Sequence, residues 1–216
     1  MTAGARRATG PVQAEMAVAL LRIDRRLAEA AEKSLHPRER RILGKVGPAR
    51  RREWLCVRGA IKRAARRCWP DLRPEQILTA RGPSGPPCAL APDGRSLGVS
   101  AAHAGGYVLA AVSKSLALGV DIQTPDARCL RLARRFFPPA GRSVRSATAW
   151  WVALEASAKC TGLPLGRLLK SAALGGRGRL RTLAWPGGRL EGVKIFSCRG
   201  LLGALALSPH KKTSGT

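Results

Sequence analysis

Residues 151–162 read W-V-A-L-E-A-S-A-K-C-T-G, an apolar, small-residue run that holds one acid, Glu155, and one base, Lys159, four positions later. The spacing predicts a helix with both charges on one face, one turn apart, and Gly162 is placed to stop it. Trp151, Leu154 and Ala158 fall at the offsets of a core-facing stripe, so the charges sit at its edge, partly shielded from water. Alone, such a pair is a surface ion pair contributing about 0.3–0.5 kcal/mol. It gains another meaning because the run occurs twice. Laid over W-L-C-V-R-G-A-I-K at residues 54–62, Glu155 matches Arg58 and Lys159 matches Lys62.

The flanking sequence repeats as well. Residues 15–24 form a strand candidate that an Asp ends, and S-L-H-P-R-E-R-R-I-L begins a helix at Ser34 or Pro37. A helix over about 50–67 follows, with Trp54, Val57, Ile61 and Ala64 as its apolar stripe. Two short β segments then join around His103, Gly105 and Gly106. In the second half, L-G-V-D-I-Q (residues 118–123) is a strand containing Asp121, and R-R-F-F-P-P-A-G-R-S-V answers S-L-H-P-R-E-R-R-I-L. S-C-R-G-L-L-G-A-L-A-L-S in turn answers A-H-A-G-G-Y-V-L-A-A-V-S. The expected fold class is α+β: two similar lobes related by a pseudo-twofold, with a ligand cleft between them. The boundaries read as a flexible segment 1–14, an N-terminal lobe 15–115, a C-terminal lobe 116–208 and a disordered tail 209–216.

Composition narrows the classes of function. The 216 residues are 45% hydrophobic, enough for packed cores, and the net charge of +26 calls for anionic partners. Aromatic residues make up 4% and no nucleic-acid recognition motif is present, so so diffuse a charge supports only non-specific phosphate contacts. The six cysteines include no C-x-x-C pair and read as reduced, mostly buried thiols of a cytoplasmic protein. The apolar run from Met16 to Leu21 is too short for a signal-peptide core, and no run approaches a membrane span.

Asp121 in G-V-D-I, His103 in H-A-G-G and the W-x-x-x-E-A-x-x-K helix, in that relative arrangement, resemble the surfactin-synthetase-activating type of 4′-phosphopantetheinyl transferase. The resemblance covers roughly residues 15–208 and includes the basic R-R-x-W-L-x-x-R-x-x-x-K-R helix. It implies magnesium-dependent transfer of the phosphopantetheine arm of coenzyme A to a serine of a carrier protein, with Mn²⁺ as an alternative metal. In that reading Asp121, Glu155 and Gln123 are the metal set. Glu155 is the base for the carrier serine, and Lys159 contacts phosphate and leaving group. His103 binds phosphate, and Arg58 with Arg50 or Arg51 holds the nucleotide end. The implied partners are coenzyme A and an acidic acyl or peptidyl carrier protein, met by a monomer that binds neither membrane nor a specific nucleic acid.

The family pattern is not kept everywhere. Gln123 stands where a third acid is usual, and Leu154 replaces a Lys beside Glu155. Pro86 replaces the Lys of G-K-P, and Ala102 and Ala104 replace two serines around His103. Each change removes a phosphate or metal contact, at about 1.5–3 kcal/mol for a charge-assisted bond. A family member that binds carrier or coenzyme A without turnover is therefore the alternative, and a non-specific nucleic-acid binder a more distant one. Taken singly, Asp121 reads as a turn cap, His103 as a turn histidine, and Arg50, Arg51, Arg52, Arg58, Lys62, Arg63, Arg66 and Arg67 as a solvated helix face.

Overall fold

The computed structural model describes residues 15–81, 87–176 and 180–209. The segments 1–14 and 210–216, and Pro86, lie outside the described residues. β1 (Met16–Arg22) leads through Asp24, whose Oδ1 accepts a hydrogen bond from the Leu27 amide at 2.8 Å, into α1 (Arg25–Lys33). Asp24 thus starts a helix as well as following a strand. α2 (Pro37–Leu43) and α3 (Pro48–Cys68) follow, each with Pro at its first position, where the missing N–H costs nothing. β2 (Leu78–Arg81), β3 (Pro87–Leu90), β4 (Ser96–Ala104) and β5 (Tyr107–Ser113) complete the first lobe.

The second lobe contains β6 (Leu116–Gln123), α4 (Ala127–Phe136), α5 (Val144–Thr161), α6 (Leu165–Ser171), β7 (Ala173–Gly175), β8 (Leu180–Trp185), β9 (Gly188–Cys198) and β10 (Leu201–Pro209). Pro209 belongs to that last strand and not to a tail. Ser143 caps α5 by accepting from the Ser146 amide, and Gly162 ends it in the left-handed conformation (φ 72°), where a side chain would be strained. Gly105 and Gly106 both have positive φ, as the tight turn between β4 and β5 requires.

Both sheets are five-stranded and antiparallel, with the orders β1-β5-β4-β3-β2 and β6-β10-β9-β8-β7. In each lobe the first strand pairs with the last and the rest follow in reverse, so the sequence repeat is a repeat of topology. α3 packs on the first sheet through Leu55, Ala60 and Ala64 against Val108, Ala110 and Val112. α5 packs on the second through Val152 and Ala156, against Val193, Ala204 and Ala206. A third cluster joins the lobes: Ala102, Leu109 and Ala111 meet Leu118, Val120 and Ile122. β5 is buried on both faces, which is why it reads as a continuous apolar run. The Val120 amide donates to Ser100 Oγ across this junction at 2.9 Å.

The alternation of β6 sends Leu118, Val120 and Ile122 to the junction and Gly119 and Asp121 toward α5. A Cβ on Gly119 would lie 1.9 Å from the Ala156 carbonyl oxygen and 2.6 Å from the Cys160 amide. Only glycine allows this strand and helix to come so close. All six cysteines are free thiols, four of them buried. No helix among the described residues is long and apolar enough to cross a membrane.

Candidate active site

The close approach of β6 and α5 brings Asp121 against the helical face that carries Glu155 and Lys159. Asp121 is 2% exposed, and a carboxylate that deep needs a partner. Lys159 supplies it. Its Nζ donates to Asp121 Oδ1 at 2.8 Å and to the Val120 carbonyl at 3.0 Å. Asp121 is therefore no turn cap, and Lys159 pairs across the strand instead of with Glu155 one turn back along its own helix. Gln123 Nε2 reaches Asp121 Oδ2 at 3.4 Å.

Glu155 has no ion pair among the described residues and stands beside Asp121. Burial pushes its carboxyl up to about 7, and the charge and hydrogen bond of Asp121 push the same way. Lys159 and a hydrogen bond from Gln123 pull in the opposite direction. The site thus holds a shielded carboxylate pair with a lysine on one member and an amide touching both.

The first lobe arranges the matching positions differently. Lys62 is not part of a solvated face: it is 2% exposed and donates to Glu39 Oε2 at 2.6 Å and to the Ser34 carbonyl at 2.8 Å. Each lysine therefore binds one backbone carbonyl and one carboxylate. The residue four before it, Arg58 or Glu155, is left without an ion pair among the described residues. Sequence reasoning missed Glu39. The available signal was its place three residues after His36, where it closes a capping box by accepting from the His36 amide at 2.9 Å.

Arg58 lies over the Trp54 ring with its guanidinium carbon 3.3 Å from the ring centroid, and Nη1 donates to the Trp54 carbonyl at 3.4 Å. Its Nε is buried with no partner. Burial draws the guanidinium down to about 10, against the opposing pull of Glu39. His103, at the end of β4, has Nδ1 2.7 Å from Glu53 Oε1 of α3, a contact that sequence did not suggest. Arg51 is tied at the surface to Glu32 at 2.6 Å, and Arg50 is exposed. Neither is placed with Arg58 by any contact.

Two cavities are each lined by one of these groups. A cleft of about 1050 Å³ runs between β3–β4 and the end of α5, with Leu90, Ser100, Leu118, Lys159 and Leu163 in its walls. A second, of about 530 Å³, lies over the helical face of the first sheet and is lined by Arg58, Ile61 and Thr79. Pro87, Val99 and Ala101 line both. Lys159 stands in the wall of the first cavity and Arg58 in that of the second. Asp121 and Glu155 stand behind Lys159, outside the cleft wall. Cys160 also faces the cleft, with its thiol pushed up to about 11 by burial, which keeps it protonated and unreactive.

No protein-family profile matches the chain. A Synechocystis sp. protein, whose name gives it 4′-phosphopantetheinyl transferase activity by inference, is 33% identical over 104 residues. That match covers 43% of this chain and 42% of the relative, so the chain spans less than half of the relative's length. Among solved structures, the holo-[acyl-carrier-protein] synthase of Thermotoga maritima is similar with a TM-score of 0.39 and 21% identity, over 56% of this chain and 74% of that one.

Proposed function

We propose that this protein is a 4′-phosphopantetheinyl transferase of the surfactin-synthetase-activating type, which moves the phosphopantetheine arm of coenzyme A to a serine hydroxyl of an acidic carrier domain. The observation that carries this reading is the grouping of Asp121, Glu155 and Lys159 beside a cleft between two topologically equivalent lobes. The sequence similarity to the Synechocystis protein supports it.

The donor set suits a hard divalent cation. Asp121 and Glu155 offer carboxylate oxygens, and a turn of the Gln123 amide presents Oε1. Besides burial, the charge of Asp121 raises Glu155, and a cation held between them would offset that repulsion. Among the described residues no group of three or more His, Cys, Asp or Glu could hold a metal, so a cation held here would have only Asp121 and Glu155 as charged ligands. Held by Asp121 and Glu155, Mg²⁺ would supply charge neutralisation for pyrophosphate oxygens.

The chain's own groups do the rest. Ionised Glu155 takes the proton of the carrier serine as its oxygen attacks the phosphorus next to the pantetheine arm. The bond to the adenosine bisphosphate breaks, and the leaving phosphate takes the electron pair. Lys159 stands at the cleft wall to stabilise that charge, and its bond to Asp121 holds the ammonium in place. Arg58 takes a phosphate of the nucleotide end. His103 reaches phosphate only by exchanging its Glu53 contact. α4, directly after β6, presents Arg128, Arg131, Arg134 and Arg135 to solvent, a face suited to an acidic carrier.

The test is intact-mass analysis of an acidic apo-carrier protein incubated with this protein, coenzyme A and Mg²⁺, beside EDTA and Glu155→Gln controls. A phosphopantetheine-sized gain that both controls abolish is the expected result. No gain with several carriers and a folded protein overturns transfer and favours a binder without turnover, which the engagement of His103 by Glu53 and the loss of a third acid at Gln123 would then explain.

A further inference from the structure

Glu39 is fully buried, and its oxygens are fully used. Oε1 accepts from the Thr79 amide at 3.1 Å and from Thr79 Oγ1 at 2.5 Å, and Oε2 accepts from Lys62 Nζ at 2.6 Å and the His36 amide at 2.9 Å. Arg58, one turn before Lys62 on α3, feels the charge of Glu39 but makes no ion pair with it. Glu75, the other acid whose charge reaches Lys62, is paired with Arg73 at 3.4 Å. The result is a cation with a buried, unpartnered Nε at the wall of a 530 Å³ cavity, within the field of a carboxylate that a lysine already occupies.

We propose that Lys62 is a positioning residue that, by occupying Glu39, keeps Arg58 uncompensated and available to a phosphoryl anion of the nucleotide end of coenzyme A. The inference rests on the reading of Arg58 given above and adds what keeps it free. A buried Lys–Glu pair is weak evidence of a purely stabilising role, since replacing both members by apolar residues of similar volume is often neutral or better. Its placement one turn from an unpaired arginine gives it another use. The second lobe repeats the device: Lys159 binds Asp121 and leaves Glu155, one turn earlier, without a cation of its own.

The test is calorimetric binding of adenosine 3′,5′-bisphosphate to the full chain at fixed salt, for the parent and for Arg58→Ala, Lys62→Met, Glu39→Gln and the Glu39→Gln/Lys62→Met double variant, each checked for cooperative melting. Arg58→Ala and Lys62→Met are expected to weaken binding at least tenfold, the latter because Glu39 then pairs with Arg58. The double variant, with no acid left to capture Arg58, is expected to return to within about threefold of the parent. A purely structural role gives no such rescue, and a double variant as weak as the single one overturns the proposal. If Lys62→Met does not fold, Glu39→Gln decides: binding equal to or tighter than the parent supports the proposal, and weaker binding overturns it. A parent that binds the bisphosphate with this variant pattern but modifies no carrier removes the transferase reading and leaves the inference standing. A parent that modifies carriers while Lys62→Met binds unchanged does the reverse.

Discussion

Replacing Gly119 by Ala tests whether the close approach of β6 and α5 builds the site. The added methyl would sit 1.9 Å from the Ala156 carbonyl oxygen and 2.6 Å from the Cys160 amide, and both are backbone atoms of a packed helix that cannot rotate away. Restoring ordinary contact requires strand and helix to separate by roughly 1.5 Å. Overpacking of this kind costs about 3 kcal/mol, the upper part of the usual range. For a chain of 216 residues that is a melting midpoint lowered by about 6–12 °C. Asp121 lies on the same face two residues on, so the same separation takes its 2.8 Å contact with Lys159 beyond hydrogen-bonding distance. A displacement near 1 Å can cost about 10²-fold in rate. Thermal melting and the carrier-modification assay read the two effects. Gly166→Ala is the control, because a Cβ there meets nothing within 4 Å and should stabilise by about 0.4–1 kcal/mol. A Gly119→Ala protein that melts within a degree of the parent and keeps its rate would refute the reasoning.

Glu155→Gln should lower the transfer rate by about 10²–10⁴-fold without lowering the melting midpoint, and above neutral pH should raise it, because a neutral group of equal size replaces a carboxylate whose charge burial and Asp121 disfavour. Glu39 is buried, which favours its neutral form, but bonds from Lys62, Thr79 and the His36 amide outweigh this and hold its carboxyl below the ordinary 4.5. Its contribution is then fully present above that value and is lost as pH falls through the depressed one. Urea unfolding between about pH 6 and pH 3 should show stability falling on acidification, with a shallower fall in the Glu39→Gln/Lys62→Met variant. With a net charge of +26, the encounter with an acidic carrier should slow as salt rises. Raising salt from roughly 0.05 to 0.5 M should reduce kcat/KM several-fold and leave kcat nearly unchanged.

Local signals explain which parts of this fold were legible in the sequence. α5 has an apolar stripe and a glycine stop, the β4–β5 hairpin has two adjacent glycines, and the strand pairs of the two halves look alike. β2, β3 and β7 run only three or four residues, too short for alternation to register. α1 is hidden in the sequence because Asp24, which follows a strand, is also its helix cap. At the site, sequence offered the pair Glu155 and Lys159 because they are neighbours in the chain. The fold chose Lys159 and Asp121, 38 residues apart, because the deeper carboxylate has the greater need of a cation. Glu39 and Lys62 were illegible for the same reason. Nothing in their spacing announces that α2, α3 and β2 converge on them.

The strand order also sets when each part of the molecule can form during synthesis. The first lobe is closed once β5 has emerged, because β1 finds its partner there. β6 comes next, carrying Asp121, but the strand opposite it, with Ala204 facing Asp121, is made roughly eighty residues later. At ribosomal speeds of 5–20 residues per second that is an interval of roughly 4–16 s. During it β6 has no sheet neighbour, yet its apolar side has a surface ready: Ala102, Leu109 and Ala111, with Ser100 to receive the Val120 amide. The finished half of the chain can therefore shelter the strand on which the other half will assemble, and the lysine that pairs with Asp121 is made 38 residues after it.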